Sequence, residues 1–302
     1  TLYPDVHYIV TSNLGVTSGV TLTIKPGTKI HFKDSVQMAM ASGSYLIANG
    51  TPDSMIIFTS ANLQKKSFID HLVLRDTIRY AKFINYCAYA MNSGRSPMKD
   101  DACFYDCIFQ DLNLSDNWST ADGAEKLFRC NIIYNDFGTD GINNAHGIYC
   151  NFIGNMKVGA GSLREEELNH SNIYGNRDSY NRYFTAECDE DSPKELFLNH
   201  NYYGAISETK IREYGVYDMR TNNGFGVFNF SNIAKEPIRE AHGILWKVVV
   251  NGYDAQDEFE MLPPLGVGKH KFEVYFNRPM DTSVAPTISM GVRAPYTQNA
   301  IS

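Results

Sequence analysis

Large apolar side chains recur along the middle of the chain at a fixed offset from a small anchor residue. Cys87, Cys107, Cys130, Cys150, Ser171 and His200 are each followed two positions later by Tyr89, Phe109, Ile132, Phe152, Ile173 and Tyr202. The anchors are spaced 20, 23, 20, 21 and 29 residues apart, at the short end of the periods that mark solenoids. One turn of chain per repeat is implied. Side chains two apart on a strand share a face, so anchor and follower are both expected inside a tube of stacked parallel strands. The cysteines then read as small buried hydrophobes on equivalent sites of successive coils.

Five residues after the anchor an asparagine recurs at Asn92, Asn135, Asn155 and Asn176, with Leu112 breaking the series. Asparagine bonds neighbouring backbone and tolerates left-handed geometry, so these positions are expected to stack on one corner. The segments between anchors are rich in Asn, Asp, Gly and Ser and carry no stripe of apolar residues at helical spacing. Only Leu163 to Leu168 could form a helical turn or two. Near the start, Val20, Leu22 and Ile24 alternate with threonine, and Pro26-Gly27 turns the chain before Ile30 and Phe32. Strand, tight bend and strand are predicted. Tyr3 to Val10 should cap the exposed first coil.

This opening string, with Ile47 to Thr51 and Ile56 to Ser60, resembles the first coils of bacterial surface proteins of the right-handed parallel β-helix, or pectate-lyase-like, superfamily. Asn201-Tyr202-Tyr203-Gly204 and Tyr217-Asp218 resemble closing coils of the same kind, so the likeness spans residues 1–244. It implies an all-β solenoid and an extracellular or bacterial cell-surface setting, but little about activity, because one such scaffold carries lyases, hydrolases, epimerases and adhesins. From Leu245 the texture changes. Phe272 to Asp281, with Pro279-Met280-Asp281 ending a strand, and Ser283 to Met290 resemble the early strands of bacterial immunoglobulin-like domains. Residues 245–302 fall well short of the roughly 100 such a sandwich needs, so a partial immunoglobulin-like unit of a larger multidomain protein is expected.

Composition narrows the partners. A net charge of -7 with no cluster of Lys and Arg argues against nucleic acid, whose recognition rests on basic surfaces. No apolar run approaches the roughly 20 residues of a membrane-spanning helix. The leading role is a noncatalytic surface or adhesin-like module that meets a glycan or another partner; the alternative is a polysaccharide lyase or glycoside hydrolase working along a groove. For hydrolysis the candidates are Asp136, Asp140 and His146, carboxylates and a histidine in a string similar to the Asn-Thr-Asp and Gly-His-Gly elements of polygalacturonases. Gly138 and Ala145 depart from that pattern, and a polar bend is the competing reading. For lyase chemistry, Asp189, Glu190 and Asp191 are the candidate calcium ligands, with Lys157 and Arg164 one coil earlier. A third role, assembly scaffolding through a sheet edge or face, is also considered.

Overall fold

The computed structural model describes residues 1–33, 36–60, 69–70, 77–86, 103–112, 126–133, 135, 146–155, 168–176, 186–187, 195–197, 200–213, 216–218, 220, 226–255, 262–283, 288–290 and 299–301. The chain divides into two compact units, Thr1–His242 and Gly243–Ser302.

The first unit is an all-β parallel solenoid. An eight-stranded sheet takes one strand from each coil: His7–Val10, Lys29–Phe32, Ile56–Ser60, Ala81–Tyr86, Ile108–Leu112, Asn131–Ile133, Asn151–Ile153 and Asn172–Tyr174. A seven-stranded sheet takes Thr21–Ile24, Tyr45–Asn49, Thr77–Arg79, Cys103–Tyr105, Lys126–Phe128, His146–Ile148 and Leu168–Asn169. A three-stranded sheet holds Leu14–Val16, Met38–Met40 and Ile69–Asp70. Pairing in all three is parallel and follows coil order. His7–Val10 is an edge strand of the large sheet.

Alternation decides what fills the tube. Ile30, Phe58, Phe83, Phe109, Ile132, Phe152 and Ile173 occupy one column of register partners in the eight-stranded sheet, and all are buried. The rings of Phe58, Phe83 and Phe109 stack at 4.8 and 5.0 Å. Phe104, from the facing sheet, meets Phe109 edge-on at 5.4 Å. Each such ring contributes about 1.5–3 kcal/mol by leaving water, so the column is a large share of what holds successive coils together.

This register moves two of the expected anchors. Phe83 pairs with Phe109, so the residue equivalent to Cys107 is Ala81, not Cys87; Cys87, Tyr89 and Asn92 lie outside the described residues. Asn172 pairs with Tyr202, which puts Asn201 at the anchor and Tyr203, fully buried, at the follower position assigned above to Tyr202. His200 takes a corner instead. Matching by residue type misplaced both, because the strand register is set by the large inward side chains.

The asparagine corner forms as expected over three coils. Asn135 Nδ2 donates to Asn155 Oδ1, and Asn155 Nδ2 to Asn176 Oδ1, both at 2.9 Å. The same amides donate to the carbonyls of Phe109, Ile132 and Phe152. Backbone N–H groups of Asn135 and Asn155 donate to the next side-chain oxygen. Buried backbone groups that a bend takes out of the sheet are thereby paired.

Later coils contribute Ala186–Glu187 paired with Val216–Tyr217 and Glu195–Phe197 paired with Val227–Asn229, both parallel. Between them lies a short helix, Glu208–Glu213, which the sequence pattern did not reveal. Ser207 caps it by accepting the Lys210 N–H at 3.2 Å, a favoured N-cap. Ile211 is buried in the core. Arg212 donates to the buried carboxylate of Asp218 at 2.8 Å and to the Phe228 carbonyl.

One element has no counterpart in the repeat. After the last coil the chain runs back over the outer face of the eight-stranded sheet as a strap, residues 238–242. Asn172 Oδ1 accepts the Ile238 N–H at 2.8 Å, and Asn172 Nδ2 lies 3.3 Å from the Ile238 carbonyl. One coil earlier Asn151 Nδ2 donates to the His242 carbonyl at 3.1 Å. Ile133 and Ile153 point outward from their strands yet are buried, as are Ile238 and Ala241.

The second unit contains an antiparallel sheet of Leu245–Val250, Tyr253–Asp254 and Phe272–Phe276, the last of them on the segment expected to be a strand ending at Pro279. Ile288–Met290 pairs antiparallel with Asn299–Ile301.

Candidate functional site

From the strand Thr77–Arg79 onward, the corner that carries the chain toward the eight-stranded sheet is built from a single left-handed residue per coil. Tyr80, Asp106, Arg129, Tyr149, His170 and His200 have φ of 47°, 56°, 52°, 57°, 48° and 60°. None is glycine, although a positive φ strains most side chains. Gly50 lies against this corner: a Cβ there would come within 2.4 Å of the Tyr80 carbonyl.

The residue after each corner is an anchor, and its side chain repairs what the corner breaks. The Cys130 N–H donates to Cys150 Sγ at 3.4 Å, the Cys150 N–H to Ser171 Oγ at 3.1 Å, and the Ser171 N–H to Asn201 Oδ1 at 2.8 Å. Each thiol also lies within donating distance of carbonyls on the strands that lead into the corner: Cys107 of Ile78 and Tyr105, Cys130 of Phe104 and Phe128, Cys150 of Leu127 and Ile148. The cysteines are therefore hydrogen-bonding members of a ladder that continues as serine and asparagine, and not merely apolar filler. Cys107, Cys130 and Cys150 are free and buried, and burial pushes the Cys107 and Cys150 thiols up. Among the described residues no group of three or more His, Cys, Asp or Glu is arranged to hold a metal ion.

Outside the tube the same corner carries rings and cations. Tyr105 and Phe128 are register partners on the seven-stranded sheet, their centroids 6.2 Å apart. The series continues from Phe128 to Tyr149 at 5.8 Å, Tyr149 to His170 at 5.7 Å and His170 to His200 at 4.8 Å. Arg79, paired with Tyr105 across the strands, places its guanidinium 4.2 Å from that ring. Lys126 lies 5.9 Å from Tyr105 and 5.8 Å from Phe128, and Arg129 4.9 Å from Phe128. Cation over ring contributes about 0.5–1 kcal/mol at exposed sites. Tyr105, Phe128, Tyr149 and His170 are half-buried and His200 is exposed, so the row is a surface feature spanning five coils.

Beneath it Asp106 is almost fully buried and takes Arg129 on both oxygens, at 2.6 and 2.9 Å. That pairing holds the Arg129 guanidinium above its ordinary value. His242, at the end of the strap, brings Nε2 to 3.3 Å from Asp106 Oδ1. Burial, and then the charge of His200, hold His170 below the ordinary histidine value, with Glu240 opposing.

The proposed hydrolytic set is not gathered by what the structure describes. His146 lies on the strand His146–Ile148, in register with Lys126; Asp136 and Asp140 lie outside the described residues. So do the calcium candidates Asp189, Glu190 and Asp191, and Lys157 and Arg164. The ring row was missed because its members sit one or two positions before the anchor, where no single residue type repeats.

Residues 1–69 match a family model described as a pectate-lyase like beta helix domain. The match covers the first coils only, and the coils beyond it continue the same parallel sheets. Comparison with curated proteins and with solved structures finds no match. Among the described residues no helix is long and apolar enough to cross a membrane.

Proposed function

We propose that the chain is a noncatalytic extracellular surface module, adhesin-like in use, that binds a glycan along the outer corner of its solenoid. The observation that supports this is the unbroken row of Tyr105, Phe128, Tyr149, His170 and His200, edged by Arg79, Lys126 and Arg129. Ring faces and edges offer apolar area to sugar C–H groups, while the cations and ring nitrogens offer donors to hydroxyl oxygens. A rigid tube keeps such contacts at a constant repeat of about 4.8 Å per coil, so weak contacts with a linear polymer add along its length. In this reading residues 245–302 belong to an immunoglobulin-like spacer within a larger multidomain protein.

The test is binding of the full chain to immobilised acidic and neutral polysaccharides, with reducing ends and unsaturated products followed in parallel. Binding without turnover, reduced about tenfold or more in a Phe128→Ala, Tyr149→Ala double variant, is the expected result, since each lost ring contact removes about 0.5–1.5 kcal/mol. Sustained product release, or binding indifferent to those two rings, would overturn the proposal.

A further inference from the structure

The strands of the seven-stranded sheet carry no aspartate or glutamate, and their only formally charged side chains are Arg79 and Lys126. Over the whole chain the balance is the reverse, with 34 acidic residues against 27 basic ones. Charge is therefore segregated, and this face of the tube is its cationic side. At the adjoining corner Arg129 is neutralised by Asp106, which takes it on both oxygens. Arg79 and Lys126 are not neutralised: among the described residues neither has a carboxylate partner. Arg79 is exposed and Lys126 half-buried, so both charges are open to a ligand.

The two cations meet at one ring. Arg79 is the register partner of Tyr105 from the coil before, and Lys126 comes from the coil after, two positions ahead of Phe128. Their charges lie 4.2 and 5.9 Å from the Tyr105 centroid. Like charges drawn to one ring oppose each other, and an anion between them turns that opposition into attraction. The two approach from different coils, which decides the shape of the anion. A carboxylate has two oxygens in one plane and is saturated by a single guanidinium fork. A tetrahedral ester has three terminal oxygens, so that one remains after the fork is filled. We propose that Arg79 and Lys126 together hold a sulfate or phosphate ester of the bound glycan at the edge of Tyr105, Arg79 forked onto two oxygens and Lys126 on the third. This inference rests on the reading of the ring row as a glycan site and names its ligand class, a glycan that carries tetrahedral oxyanions. The net negative charge of the rest of the chain repels such a polymer elsewhere and confines it to this sheet.

The probes are the sulfate, phosphate and carboxymethyl derivatives of dextran, matched in length and degree of substitution and titrated into the full chain at physiological ionic strength. At least one of the two ester derivatives is expected to bind about tenfold or more tightly than the carboxymethyl polymer, the scale of a charge-assisted hydrogen bond gained; the same series tells sulfate from phosphate. The double variant Arg79→Gln, Lys126→Gln should lose that margin. Lys29→Gln, Lys235→Gln, which removes the same charge from exposed sites away from Tyr105, should keep it. Carboxymethyl dextran bound as tightly as both esters, or an equal loss in the two double variants, overturns the proposal. The outcome is separate from that of the ring test: polysaccharide binding that depends on Phe128 and Tyr149 but gains nothing from esters leaves the glycan row standing and removes the ester site alone.

Discussion

Replacing Cys150 separates two accounts of the cysteine ladder. If the thiol is only a small hydrophobe, valine and alanine should be tolerated and serine should be the damaging choice. The geometry assigns the opposite order. Cys150 Sγ accepts the Cys130 N–H, and alanine would strand that buried donor at about 1–3 kcal/mol and add about 1 kcal/mol for the lost sulfur volume. Cys150→Ala is thus expected to lose about 2–4 kcal/mol, and Cys150→Val at least as much as the stranded donor costs. Serine keeps the acceptor. At the next coil Ser171 already accepts the Cys150 N–H and donates to the Asn169 carbonyl at 3.0 Å, so Cys150→Ser should fall within about 1 kcal/mol of the parent. Urea unfolding followed by circular dichroism gives the order, and hydrogen exchange at the Cys130 amide localises it. Valine equal to the parent with serine the least stable of the three would refute the acceptor role.

Two further outcomes follow from the two corners of the coil. Asn155→Ala removes the acceptor of the Asn135 N–H and the donor to the Ile132 carbonyl, and should cost about 3–5 kcal/mol from stranding two buried backbone groups, read as a lowered urea midpoint. His170 is held below its ordinary value chiefly by burial and next by His200, so the unfolded chain binds its proton more readily. Stability is therefore full above the ordinary histidine value near 6.5 and falls as pH drops from there toward the lowered folded value. Thermal midpoints measured from pH 7.5 to 5 should fall less steeply in His170→Asn, a residue that tolerates the left-handed corner; parallel slopes would remove His170 from the account.

The periodic part of this molecule was legible because its cause is local and repeated. Inward alternation marked Phe109, Ile132, Phe152 and Ile173, and each is buried; the bend asparagines at 135, 155 and 176 sit where their spacing put them. Legibility failed where a residue's type and its role part company. Ala81 holds an anchor site with no thiol, and Asn201 holds one beside a histidine that is itself the corner residue. The candidate acids lie on segments outside the described residues, so the hydrolase and calcium readings gain nothing from the coils around them.

The chain alone therefore determined that strands would coil and stack, since a strand's two faces and a bend's preferred residues are properties of a few neighbouring positions. The fold in three dimensions decided which side chains share a corner, that sulfur, hydroxyl and carboxamide could serve as one ladder, and that residues 238–242 would return to asparagines 66 and 91 positions away. Those choices depend on coil register and on a long-range return of the chain. Neither repeats along the sequence, so no periodicity could announce them.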